Sequence, residues 1–229
     1  MMIYVTGDTH RMQDFAKLPA FSKEHPELTR ADMVIVAGDF GGVWSAHTLR
    51  EDLKPYEELP FTVAFVDGNH ENFDLLEKYP VETLFGGKIH RIADNVLHLM
   101  RGQVYKIAGK TFFTFGGAES VDKAMRTEKI SWWRQEMPTD ADVVEANKNL
   151  GKVGFKVDYI VTHTCDERAL YYPPLSMRRS KIGVLPENRL LSYFEENVEY
   201  GHWYFGHYHL DGELNGKKTV LFHNIIRIC

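Results

Sequence analysis

The sequence predicts an α/β protein with two sheets and outer helices, on two observations. Short, near-continuous apolar runs recur along the 229 residues, each ending in a polar, glycine-rich cluster. Runs of four to six such residues read as buried strands. Amphipathic helical stretches separate several of them, which is the rhythm of βαβ units.

In chain order, Met2–Thr6 ends in Gly7-Asp8-Thr9-His10 and is followed by a helical pattern over about Arg11–Leu18. Met33–Ala37 ends in Gly38-Asp39-Phe40-Gly41-Gly42, with a helix expected over Thr48–Glu58. Phe61–Val66 ends in Asp67-Gly68-Asn69-His70-Glu71, with a helix over Glu71–Lys78. The middle changes character. Ile89–Ile92, Val96–Leu99, Gln103–Ile107 and Thr111–Phe115 are strand-like pieces joined by short turns, so hairpins are added to the βα units. Val157–Thr162 ends at His163, a helix is expected over Pro186–Asn197, and His202–Phe205 ends in Gly206-His207-Tyr208-His209. Glu213–Leu214 and Thr219–Phe222 flank Asn215-Gly216, a strong hairpin signal. No repeat or linker divides the chain, so residues 1–229 are expected to form one domain. Segments 116–137 and 165–183 fit neither pattern, and loops of that length usually serve function.

Composition narrows the function classes. Lys plus Arg number 27 against 32 Asp plus Glu, a formal charge of −5, so bulk charge does not favour nucleic acid or an anionic membrane. Nucleic acid is expected as a substrate only, if at all. Two cysteines, Cys165 and Cys229, exclude a disulfide scaffold. The opening MMIYVTGDTH lacks the pattern of a signal peptide, and no run of about 18 uncharged apolar residues suggests a membrane span. A cytoplasmic location is the expectation.

Eleven histidines are the unusual feature. Asp8, His10, Asp39, Asn69, His70, His163, His207 and His209 all stand just after an apolar run. In an open α/β sheet, ligands gather outside the carboxyl ends of the strands, so these residues can meet at one rim. Imidazole, carboxylate and one amide suit a transition metal better than calcium or a closed structural zinc site. Seven ligands exceed what one ion needs while leaving room for substrate. Two ions sharing a ligand fit better, and Asp39, on the middle of the first three βα loops, is the natural bridge.

The motifs Asp8-x-His10, Gly38-Asp39, Gly68-Asn69-His70-Glu71, His163 and Gly206-His207-x-His209 resemble, in order, those of the calcineurin-like metallophosphoesterase superfamily. The resemblance implies a four-layer α/β/β/α sandwich of two mixed sheets flanked by helices, with a dinuclear centre that hydrolyses phosphoesters. One metal would take Asp8, His10, Asp39 and His209, and the other Asp39, Asn69, His163 and His207. Manganese is the expected ion, with iron, zinc or nickel as alternatives. A metal-bridging hydroxide would attack phosphorus in line, Asp39 serving as bridge. His70 would touch phosphate or protonate the leaving oxygen. The chain departs from the Ser/Thr protein phosphatase branch, which carries Asp and Arg where Gly42 and Val43 stand, and Gly where Arg11 stands. A phosphodiesterase or small-molecule phosphatase is therefore expected ahead of a protein phosphatase, or of a nuclease or nucleotide phosphodiesterase. A binding scaffold that keeps the fold without activity predicts eroded ligands, and none is eroded here. The segment from Gly116 through Trp133 resembles small bacterial and phage-borne members.

Arg11, Arg126, Trp132, Trp133, Arg178 and Arg179 are the candidate substrate contacts. Arginine forks match phosphate oxygens and tryptophans offer stacking faces. Each has a plainer alternative as a solvated cation or a core anchor. His25, His47, His90, His98, His202 and His223 have no motif behind them, and Cys165 is expected to be a packed thiol.

Overall fold

Side-chain alternation along the strands sets the layers. In the computed structural model the backbone of all 229 residues is described, with every side chain except those of Arg178, Lys181 and Ile182. Strands β1 (Ile3–Thr6), β2 (Met33–Ala37) and β3 (Thr62–Val66) run parallel, and β6 (Val96–Leu99) continues them in parallel. Strands β5 (Gly87–Ala93) and β4 (Val81–Leu84) follow antiparallel, and β13 (Ile226–Arg227) closes the other edge against β1. The seven-stranded order is β13-β1-β2-β3-β6-β5-β4.

The second sheet has six strands, in the order β11-β12-β10-β9-β8-β7. These are β7 (Gln103–Ile107), β8 (Lys110–Phe115), β9 (Lys156–Thr162), β10 (Glu199–Phe205), β11 (Gly212–Leu214) and β12 (Lys218–Val220). Its centre, β8-β9-β10-β12, is parallel, and β7 and β11 are antiparallel edges.

Three apolar cores then require four layers. Ile3, Val5, Ile35 and Ala64 of the first sheet meet Phe112, Val161 and Tyr204 of the second in the middle core. The alternate residues Tyr4, Val34, Val36 and Phe65 face outward onto helices α1 (Lys17–Glu24) and α2 (Leu49–Glu57), through Leu18, Phe21, Leu53 and Tyr56. On the far side Phe113, Ile160, Trp203 and Phe205 pack on α4 (Asp140–Lys152) and α6 (Pro186–Asn197), through Ala146, Leu150, Leu191 and Phe194. Each fully buried aromatic there contributes about 2–3 kcal/mol of apolar burial. The arrangement is a helix–sheet–sheet–helix sandwich, as the fold class expected.

Several boundaries differ from the sequence pattern. The helix expected over Arg11–Leu18 begins only at Lys17, because His10 and Arg11 take left-handed backbone (φ 40° and 59°) and residues 11–16 form turns. The helix expected over Glu71–Lys78 shrinks to α3 (Phe73–Leu76), capped by Asn72 Oδ1 accepting from Leu75 N at 3.1 Å. Glu71 is drawn out of it to bond the loop after Asp39. The 13-residue α4 was not expected, although Thr139 and Asp142 form a capping box at its start. Segment 165–183 contains α5 (Ser176–Ile182), and segment 116–137 is irregular with two short 3₁₀ turns. No helix of the described residues is long and apolar enough to cross a membrane.

Candidate metal centre

The carboxyl ends of β1, β2, β3, β9 and β10 bring the seven candidate ligands to one place. Asp8, His10, Asp39 and His209 offer ligand atoms that all lie within 4.8 Å of one another, and so do Asp39, His163 and His207. Asp39 belongs to both groups. Asn69 joins the second group, its Oδ1 lying 3.1 Å from His163 Nε2. Tight backbone approach makes this convergence feasible. A Cβ on Gly38 would lie 2.0 Å from His163 Nδ1, and one on Gly68 would lie 2.1 Å from Asp39 Oδ1, so neither position admits a side chain. His10, Asp39, His207 and His209 themselves take left-handed backbone, an uncommon conformation that clusters at functional sites.

The tautomers are set from behind. His10 Nδ1–H donates to Asp14 Oδ2 at 2.7 Å, which leaves Nε2 facing Asp39 Oδ2 at 3.2 Å. His163 Nδ1–H donates to the Ala37 carbonyl at 3.0 Å, which leaves its Nε2 inward. Asn69 Nδ2 donates to Ser120 Oγ at 3.3 Å, so its carbonyl oxygen points to the cluster. Ser120 is in turn held by Glu136 (2.8 Å). Such outer partners orient metal ligands and raise their basicity.

The donor set fits cations and little else. Around His163 Nε2 stand Asp39 Oδ1 (3.2 Å), Asn69 Oδ1 (3.1 Å) and His207 Nδ1 (3.1 Å), in a buried pocket. Asp39, Asn69 and His207 turn acceptor atoms toward this point, and such a set repels unless a proton or a metal ion sits among them. Burial pushes His207 and His209 down to about 3 and about 4, aided by the neighbouring His163 and His10 respectively, so both are neutral donors at pH 7. Burial alone would also lower His163, but Asp39 and Asp8 outweigh it and raise it to about 9. In the metal-free protein His163 is therefore the local cation, and an arriving ion must displace its proton. Metal affinity is expected to rise about tenfold per pH unit toward about pH 9 and then level off. The metal-free fold has the opposite dependence. The stabilisation from His163 is complete below its ordinary value of 6.5 and is lost as pH climbs through about 9. Metal titrations and thermal melts of chelated protein between pH 6 and 9 check both signs.

His70 stands at the mouth. Its N–H donates to Asp39 Oδ1 at 2.8 Å, and its Nε2 accepts from Arg126 Nη2 at 3.2 Å. Arg126 is braced by Asp122 Oδ1 (2.7 Å) and the Ser131 carbonyl (3.2 Å). It is the one Lys or Arg lining a cleft of about 180 Å³ beside Asp39, Asn69, His207 and His209, among the described residues. Segment 116–137 thus brings a cation to a rim where Val43 supplies none. A second cleft, of about 270 Å³, shares His70 as a wall and is lined by His10, Arg11 and Trp44. A roomier cleft of about 390 Å³ around Arg101, His90 and His98 contains none of the candidate ligands, so size does not mark this site.

The other candidate contacts divide. Trp133 is a correction: it is 1% exposed, donates Nε1–H to Asp74 Oδ2 at 3.1 Å and cannot present a face to substrate. Trp132 is half-buried and lines neither cleft at the cluster. Arg179 is also a correction, since its guanidinium lies over the Tyr171 ring at 4.1 Å and borders neither cleft. The Arg178 and Lys181 side chains lie outside the described residues. Cys165 is fully buried beside the Tyr208 hydroxyl, a packed thiol. His47 and His223 are exposed.

Sequence reasoning missed Asp14, Ser120, Lys17 and Trp44, and named Glu71 within a motif without giving it a role. Asp14 was the most accessible of these, four residues after His10. Glu71 is fully buried and accepts from Phe40 N (2.7 Å) and Gly41 N (3.2 Å), fixing the loop that carries Asp39. Burial, reinforced by Asp39, raises its carboxyl well above the usual range. Lys17 Nζ donates to the carbonyls of Gly7 and Asp8, both at 2.8 Å, and to that of Phe222.

With this geometry in hand, the family pattern of calcineurin-like phosphoesterases matches residues 1–211. The chain belongs to the calcineurin-like phosphoesterase family. No curated protein matches it. Among solved structures, this calcineurin-like phosphoesterase is similar to phosphopantetheinyl hydrolase from Mycobacterium tuberculosis, at 18% identity and TM-score 0.44 over 96% of this chain and 88% of that one. It is similar to a protein of unknown function from Aquifex aeolicus, at 14% identity and TM-score 0.38 over 87% of each chain. A protein serine/threonine phosphatase from Saccharomyces cerevisiae matches at 16% identity and TM-score 0.36, over 97% of this chain and 67% of that one. Likenesses this distant do not bear on substrate. The family binds divalent metals, and the two ligand groups around Asp39 are where this member would hold them.

Proposed function

We propose that the chain is a dinuclear-metal hydrolase of small organic phosphates or phosphodiesters. The observation that carries this is the pair of acceptor-rich groups sharing Asp39, with His70 and Arg126 at the mouth. Divalent ions there supply charge neutralisation and a water activated near neutral pH. The chain's own residues do the rest. Asp8, His10 and His209 would hold one ion and Asn69, His163 and His207 the other, while Asp39 serves both. Arg126 offers its charge to phosphate oxygens, since guanidinium forks match them. His70 touches phosphate or gives a proton to the leaving oxygen. Two clefts meet at His70 and leave room for small substituents on the phosphate, which favours small phosphate esters and diesters over phosphoproteins. Manganese remains the preferred ion, with iron, zinc and nickel as alternatives. A small phosphoester is the proposed partner in a cytoplasmic setting, with no membrane and with nucleic acid at most a substrate.

The test is chelated, reloaded protein assayed on p-nitrophenyl phosphate and bis-p-nitrophenyl phosphate with each ion. Metal-dependent turnover of either ester is expected, and none with any ion would sink the proposal. His70→Ala is expected to lower turnover by about 10²–10³-fold with metal content intact. Loss of an ion by elemental analysis would instead make His70 a ligand.

A further inference from the structure

Arg11 directly follows the candidate ligand His10, and the fold holds it unusually firmly for a loop cation. Its N–H donates to the Phe40 carbonyl at 3.0 Å, and its carbonyl accepts from the Tyr56 hydroxyl at 3.2 Å. Its Nε donates to Asp52 Oδ1 at 2.7 Å. Asp52 is only 4% exposed, and its other oxygen accepts from the Thr48 hydroxyl at 2.6 Å. A solvated surface pair needs no buried carboxylate of this kind. Only one edge of the guanidinium is used. The Nη groups have no partner among the described residues, and the side chain is 39% exposed.

Arg11 also lines the cleft of about 270 Å³ formed with His10, Gln13, Gly41, Trp44 and His70. No carboxylate lines it, whereas Glu119 and Asp122 line the cleft beside Arg126. One wall is aromatic. Trp44 is half-buried, its ring lies 27° from parallel to His70 with centroids 6.3 Å apart, and its edge is propped on buried Trp133 at 5.4 Å. A guanidinium with unpartnered Nη groups, a flat aromatic wall and the candidate ligand His10 thus border one space.

We propose that this cleft is a leaving-group subsite for an aromatic ring that carries a second phosphate, as in a nucleoside diphosphate. The inference rests on the phosphoester-hydrolase reading and extends it to substrate class. The terminal phosphorus lies over the cluster, Arg11 takes the oxygens of the inner phosphate, and Trp44 stacks on the base. The oxygen of water bonds to the terminal phosphorus and the P–O bond to the inner phosphate breaks. The inner phosphate keeps the electron pair, and a proton is released from the water. The products are a nucleoside monophosphate and inorganic phosphate.

The experiment compares ADP, inorganic pyrophosphate and p-nitrophenyl phosphate as substrates of reloaded wild type, Arg11→Ala, Arg11→Lys and Trp44→Ala. AMP binding to each is measured by calorimetry. Arg11→Ala is expected to lower the kcat/KM ratio of ADP to p-nitrophenyl phosphate at least tenfold, with Arg11→Lys recovering only part. Trp44→Ala is expected to lower the ratio of ADP to pyrophosphate by a similar factor. AMP affinity should fall at least tenfold in Arg11→Ala. Unchanged ratios, or turnover of p-nitrophenyl phosphate with none of ADP, would overturn the subsite and leave the hydrolase standing. If no phosphate ester is turned over, the hydrolase reading fails. AMP binding that depends on Arg11 and Trp44 then upholds the subsite, and AMP binding indifferent to both removes it. Should Arg11→Ala fail to fold, the same readouts on Arg11→Lys and Trp44→Ala decide.

Discussion

Asp39→Asn is expected to lower turnover of any phosphoester by about 10³-fold or more, with His209→Ala costing about 10–100-fold. The difference comes from position. His209 belongs to one ligand group, stacked on Phe222 at 4.7 Å, and its removal leaves the other group whole. Asp39 belongs to both. Its carboxylate also accepts the His70 N–H at 2.8 Å and faces His10 Nε2 and His163 Nε2, each at 3.2 Å. Burial alone would raise its carboxyl, but His163 and His10 hold it well below the usual carboxylate range, so it is anionic at every working pH. Asparagine keeps the shape, removes the charge from both ion positions and turns an NH₂ toward one of them. Elemental analysis alongside kinetics on matched samples checks this. Equal losses for the two variants would mean that Asp39 is not shared.

Arg101→Met is expected to destabilise the protein by about 3–5 kcal/mol, because it leaves a buried carboxylate without its cation. Arg101 sits where the chain crosses from β6 in one sheet to β7 in the other. Its Nε donates to Asp67 Oδ2 at 2.7 Å, and Asp67 is 1% exposed at the end of β3. Its Nη2 also donates to the carbonyls of Gln135 (2.9 Å) and Glu136 (3.1 Å), and the cation lies over Phe73. The other Asp67 oxygen is 3.2 Å from His98 Nε2. Burial would raise Asp67, but Arg101 and then His98 outweigh it and hold it well below the usual value of 3.8. Its contribution to stability is therefore complete above that value and is lost as pH falls through the folded one. Without Arg101 burial raises the Asp67 carboxyl, so the deficit of the variant should shrink as pH falls and the buried carboxylate takes up a proton. Urea unfolding at pH 5 and 7 reads this deficit, and Arg101→Met combined with Asp67→Asn should recover part of it, since no charge then remains buried.

The fold and the clustering of the candidate ligands were legible for the same reason. Buried parallel strands are apolar throughout, so Met33–Ala37 and Phe61–Val66 stand out, and the polar residues at their carboxyl ends lie at one rim. Helix starts were harder, because the candidate site overrides local preference. His10 and Arg11 are turned left-handed and Glu71 is spent on Phe40 and Gly41, which delays one helix and shortens another. The two adjacent tryptophans misled because neighbours along an extended segment point to opposite sides. Trp133 goes inward and Trp132 stays half-buried, while Trp44, alone after Gly41-Gly42-Val43, lines the cleft. Arg126 could be named but not placed, since its contact with His70 depends on the path of an irregular segment.

The candidate ligands run from residue 8 to residue 209 and follow central strands of both sheets. Ions that bind only the assembled protein then act as reversible cross-links between distant parts of the chain, comparable to staples that close long loops. Each tenfold rise in free ion above the dissociation constant adds about 1.4 kcal/mol per site to the resistance against unfolding. With ions held at this centre, the melting temperature is expected to track the ion concentration around the protein, and a chelator to act as a mild denaturant.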